Sequence, residues 1–119
     1  MTLLNITNVE QLNDCIARIS TNSDYVFDIY STLVDLQIGD KIKINLSENK
    51  LDAPYVMFGQ VYYSTNNVSC VSFGGLLAKL PVHLDIHSNI YMSVSKSRTR
   101  KIESSVQQRP NTRQKKMLS

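Results

Sequence analysis

The sequence predicts an all-β protein: a small antiparallel barrel or sandwich, followed by a basic tail. Three observations predict it. Apolar residues recur with a period of two along most of residues 1–96. Turn-forming clusters punctuate those runs at short intervals. Helical periodicity is poor, and after Lys96 the pattern stops.

Each run has its own signature. In CIARIS, Cys15, Ala17 and Ile19 alternate with Ile16, Arg18 and Ser20. The longer NVEQLNDCIARI also admits a helix, with Val9, Leu12 and Ile16 on one face. In DYVFDIY, Tyr25, Phe27 and Ile29 share a face opposite Asp28. In DKIKINLS, Ile42, Ile44 and Leu46 face one way while Lys41, Lys43 and Asn45 face the other, as in a half-buried strand. YVMFGQVYY and VSCVSF are apolar on both faces, which predicts strands covered on both sides. VHLDIHS predicts Val82, Leu84 and Ile86 inward, and NIYMSVS sets Ile90, Met92 and Val94 on one face. Turns are expected at Asn22-Ser23-Asp24, Gly39-Asp40, Thr65-Asn66-Asn67 and Gly74-Gly75. Gly59, inside a strand pattern, predicts a bulge or bend. Seven or eight strands so closely spaced read as a barrel or sandwich, and closure hides the sheet edges.

The 119 residues suffice for one domain, here 1–96, and 42% of them are hydrophobic. Charge divides the chain. Residues 1–96 carry six Lys/Arg against nine Asp/Glu, a net −3. Residues 97–119 carry Arg98, Arg100, Lys101, Arg109, Arg113, Lys115 and Lys116 against Glu103, a net +6. This polar segment has too little apolar surface to offset its ordering entropy, so a disordered tail is expected. Its seven cations suit salt-sensitive contact with nucleic acid or an acidic protein surface. The opening MTLLNITN has neither the basic nor the apolar region of a signal peptide. No apolar run reaches the length of a membrane span, so no membrane partner is expected. Two cysteines are too few for a disulfide framework, which predicts a reducing compartment. The Asn5, Asn45 and Asn67 glycosylation sequons then read as chance.

Few residues of the chain fall into a pattern that carries chemistry. Gly74-Gly75 lacks the further glycines and the helix of a phosphate loop, so a tight reversal is expected there. Cys70, His83 and His87 match the second half of a zinc-finger spacing, but the first half is missing, and a structural zinc needs four ligands. Asp85 and His87 lie close in sequence without any serine elbow. No catalytic residue, cofactor or metal is assigned, and a small-molecule substrate is not expected. Six tyrosines on a small barrel would suit base stacking, although the net-negative body lacks a basic strand face.

Two blocks carry a resemblance. YVMFGQVY at 55–62 and VSFGGLLAKL at 71–80 resemble the small subunit shared by nuclear RNA polymerases I, II and III, the eighth subunit of polymerase II. That family shows a Tyr-Val-Met-Tyr-Gly block, then Ser-Phe/Tyr-Gly-Gly-Leu-Leu-Met-Arg-Leu. YVFDIYSTLVDLQIGDKIKINLSEN at 25–49 is similar to its first hairpin, and NIYMSVSK at 89–96 to its closing strand. The resemblance spans roughly residues 3–96 and implies an eight-stranded antiparallel barrel, OB-fold-like, in two joined halves. It further implies a non-catalytic nuclear subunit that docks on the largest polymerase subunit and supports assembly. Ser72, Phe73, Gly74, Gly75, Leu76 and Leu77 are the residues expected at the docking surface. The family's long acidic loop is reduced here to SENKLDAP at 47–54, its Met-Arg pair is Ala78-Lys79, and residues 97–119 have no counterpart. The rival expectation is a free-standing OB module that binds single-stranded nucleic acid.

Overall fold

A computed structural model describes residues 2–97; Met1 and 98–119 lie outside the described residues. Eight strands follow in chain order: β1 (Thr2–Gln11), β2 (Ile16–Thr21), β3 (Val26–Tyr30), β4 (Lys41–Ser47), β5 (Val56–Ser64), β6 (Ser69–Phe73), β7 (Leu76–Leu80) and β8 (Asn89–Lys96). Every pairing is antiparallel, and the ring β1-β2-β3-β7-β6-β5-β8-β4 closes through β4 beside β1. The predicted eight-stranded barrel is the observed fold.

The period-two residues build its core. Ile19, Phe27, Ile42, Val61, Val71, Leu80 and Met92 are fully buried, and Leu4, Ile6, Ile29, Ile44 and Val94 nearly so. The helix that NVEQLNDCIARI admits does not form. Within it β1 runs to Gln11, the chain turns back through residues 12–15, and Ala17 and Ile19 alternate inward on β2. Burying that face beats a weak helical propensity.

The two ends of the ring order reveal two Greek keys, β4-β1-β2-β3 and β8-β5-β6-β7. Their backbone details match. The β1·β2 register shifts between Ile6 and Asn8, and the β5·β6 register shifts between Val61 and Tyr63. The Ile6 amide donates to Asp40 O at 2.9 Å, and Gly39 N donates to Ile6 O at 2.9 Å. In the second half Val61 N donates to Ser88 O at 3.0 Å, and His87 N to Val61 O at 2.8 Å. Gly39 and His87 share the left-handed region, at φ +94° and +70°. The sequence repeats in step: Val34, Leu36, Ile38, Ile42 and Ile44 recur 48 residues later as Val82, Leu84, Ile86, Ile90 and Met92.

The Gly74-Gly75 turn joins β6 to β7 as a two-residue loop closed by the Phe73–Leu76 pair. Its φ values, +66° and +106°, are both positive, as a type I′ turn requires. Of the bulge or bend predicted at Gly59, the bulge lies three residues on, at Tyr62. A Cβ on Gly59 would lie 2.1 Å from the Ser72 carbonyl oxygen and 2.7 Å from the Phe73 ring. The glycine therefore marks a close backbone approach. Ile86 also departs from expectation. Val82 and Leu84 pack against the core, but Ile86 projects into solvent from the Asp85–Ser88 turn.

Candidate docking surface

Strand β5 is flanked by β6 and β8, and its inner face points Met57 and Val61 into the core. Its outer face is where the sequence-based expectation fails. Among the described residues nothing covers Phe58, Tyr62 or Tyr63, which are 53%, 50% and 52% exposed, so only one apolar face of this strand is buried within the barrel. The bulge explains the adjacent tyrosines: the extra residue interrupts alternation, and both side chains emerge outward. Phe58 stands opposite Tyr91 of β8, with ring centroids 4.5 Å apart and planes tilted by 45°. This edge-inclined contact is within the favourable range for aromatic pairs.

Two hollows extend the apolar surface. One of about 300 Å³ is lined by Arg18, Val26, Tyr62, Cys70, Leu77 and Lys79. The other, about 340 Å³, includes Tyr30, Leu33, Pro54, Phe58, Phe73 and Leu76 among its walls and has no charged residue. Leu33 is the most exposed of these, at 72%. Tyr55 lies at the floor, where its hydroxyl accepts a hydrogen bond from the Tyr30 amide at 3.0 Å. Burial raises the pKa of that phenol, opposed by the bond from Tyr30.

The segment expected at the docking surface divides. Phe73 and Leu76 turn inward and are nearly buried, although both also line the uncharged hollow. Gly74 and Gly75 form the exposed turn, Ser72 is half-buried, and Leu77 stands outward at 40% exposure. Sequence reasoning missed Tyr30, Leu33, Phe58, Tyr62, Tyr63 and Tyr91. The signal was present, because an apolar outer face on a barrel strand needs either a cover or a partner. The expected tail contacts at Arg98, Arg100, Lys101, Arg109, Arg113, Lys115 and Lys116 lie outside the described residues.

One outward polar pair borders the first hollow. Arg18 of β2 donates from Nε to Asp28 Oδ1 at 2.8 Å and from Nη2 to Oδ2 at 3.1 Å. The Leu77 amide of β7 donates to the same Oδ2 at 3.1 Å. Asp28 is 3% exposed although it points away from the core. The hydrogen bond and the charge of Asp28 push the Arg18 pKa up.

The sequence-based metal and catalytic candidates are dispersed. Cys70 sits half-buried on β6. His83 and His87 belong to the connection before β8, where His83 Nδ1 lies 2.8 Å from Thr65 O and its Nε2 lies 3.4 Å from Asp85. The Asp85 carboxylate thus faces His83, not His87. Among the described residues no three His, Cys, Asp or Glu side chains are grouped to hold a metal ion. No protein-family model matches this chain, and no curated protein matches it.

Proposed function

We propose that the chain is a non-catalytic structural subunit of a eukaryotic-type, nuclear DNA-directed RNA polymerase, docking on the largest subunit and supporting its assembly. The observation behind this reading is the uncovered aromatic surface of β5 and its neighbours, with Phe58, Tyr62, Tyr63, Leu77 and Leu33 exposed around two shallow hollows. Rigid aromatic and aliphatic groups of this kind anchor protein interfaces. The resemblance of residues 55–62 and 71–80 to the shared polymerase subunit supplies the partner. The basic segment beyond Ser97 contributes salt-sensitive contacts to nucleic acid or an acidic subunit surface.

The Phe58–Tyr91 pair and the exposed tyrosines also favour a second reading, a free-standing module that stacks single-stranded bases. The hollows argue against it. Their lining carries only two cations, Arg18 and Lys79, and Arg18 is engaged by Asp28. A backbone-tracking basic groove needs more.

The double variant Phe58→Asp/Tyr63→Asp tests the surface directly. These side chains do not fill the core, so stability should fall only by the lost Phe58–Tyr91 contact, about 1 kcal/mol. Co-purification of the largest polymerase subunit should fall about tenfold or more, since burying an unpaired carboxylate costs over 1.4 kcal/mol. Unchanged recovery would move docking to another face. Loss of oligonucleotide binding, with polymerase binding intact, would favour the base-stacking module.

A further inference from the structure

We propose that the barrel carries a docking groove for the chain's own basic segment, with Arg98, Arg100 and Lys101 seated against Asp14 and Asp35. This inference is independent of the polymerase reading, because it concerns the isolated chain.

The groove has a volume of about 900 Å³. It opens between the β1–β2 hairpin and the 31–38 segment that follows β3. Its walls present two carboxylates, Asp14 and Asp35, and no cation. Both carboxylate residues are exposed. The hairpin wall is firmly shaped: Asn13 Oδ1 accepts from the Cys15 amide at 2.8 Å and from the Ile16 amide at 2.9 Å. The opposite wall is tied down by its turn, where Asp40 N donates to Gln37 O at 3.0 Å. The walls also carry apolar groups, Val9, Val34, Leu36 and Ile38, the last 65% exposed.

The chain leaves the barrel beside this groove. Ser97 N donates to Lys41 O at 2.8 Å, and Lys96 Nζ lies 3.4 Å from Asp40. Asp40 lies two residues beyond the groove wall Gln37-Ile38, with Gly39 between. From Ser97, the three nearest cations fall within four residues, and Ile102 comes next. Four extended residues span about 14 Å, so these groups start at high local concentration close to the Gln37-Ile38 end of the groove. The segment matches the groove in charge and in its apolar group, Ile102 against Ile38. At low salt the attraction of three cations to two carboxylates is strong, and at high salt it is screened.

Zero-length carboxyl–amine cross-linking of the wild-type full chain, mapped by mass spectrometry, tests the proposal. The Lys96–Asp40 pair serves as an internal control. At low salt, Lys101 should link mainly to Asp14 or Asp35. These links should fall several-fold at about 0.5 M salt, where the screening length shrinks to a few ångströms. They should also fall several-fold in Arg98→Gln/Arg100→Gln, a variant that leaves the barrel untouched. In a mixture of isotope-labelled and unlabelled chains, the links should stay within one chain. Equal linking of Lys101 to Glu48 and Asp52, beyond the far end of β4, would overturn the proposal. So would links between labelled and unlabelled chains, which would make the occupant a second copy. So would an absence of Lys101 links in the wild-type chain at low salt while the Lys96–Asp40 control forms.

Discussion

Gly59→Ala is expected to lower the stability of the barrel by about 3 kcal/mol, a fall in Tm on the order of 15 °C for a domain of this size. The single added methyl would lie 2.1 Å from the Ser72 carbonyl oxygen. That oxygen is backbone, so no rotamer change relieves the contact, and β5 and β6 must part where Phe73 folds across the glycine. Trimming the aromatic should not rescue the variant: Phe73→Leu/Gly59→Ala should be no more stable than Gly59→Ala alone. Chemical denaturation of the set checks this. A loss under 1 kcal/mol in Gly59→Ala would show that the two strands separate freely at this point, and the close approach would then have no structural role.

Asp28→Ala should cost about 2 kcal/mol. The β3–β7 seam joins the two Greek keys, and its register comprises only Val26–Lys79 and Phe27–Ala78. Asp28 extends the seam with a side chain, accepting the Leu77 amide on one oxygen while Arg18 holds both. Removing the carboxylate strands a backbone donor at a nearly closed site. Arg18 is 40% exposed, so water screens its share, and the figure stays below that of a fully buried ion pair. Asp28→Asn should fall between, since its amide oxygen can still accept from Leu77 while its NH₂ group meets the guanidinium. The double-mutant cycle of Arg18→Ala and Asp28→Ala measures the pair itself. Strict additivity would mean that the ion pair contributes nothing and the seam rests on backbone and core alone.

These two sites show where sequence reading succeeds and where it stops. Alternation in DYVFDIY and DKIKINLS identified Phe27, Ile29, Ile42 and Ile44 as interior, because burial on one face leaves a period of two. The adjacent glycines were legible as a reversal because a two-residue hairpin demands positive φ at both positions. Asp28 was legible as outward, but outward on a barrel is not the same as exposed. Its cover comes from Arg18 and from β7, which lies far along the chain. For the same reason β5, apolar on both faces, resembled a strand with two covers. Only the closed ring shows that none of the described residues packs outside Phe58 and Tyr62. The 48-residue repeat relates segments of different halves, so no single strand or its immediate neighbour displays it. The groove beside Asp14 and Asp35 depends on where the 31–38 segment crosses the barrel end, which no local pattern encodes.

The docking reading stands or falls on the company the protein keeps. The most direct measurement is a pull-down of the tagged full chain from native nuclear extract at moderate salt, with partners identified and quantified by mass spectrometry. The account predicts recovery of the two large RNA polymerase subunits in near-stoichiometric amounts. Recovery of the chain alone, or with nucleic acid only, would contradict it.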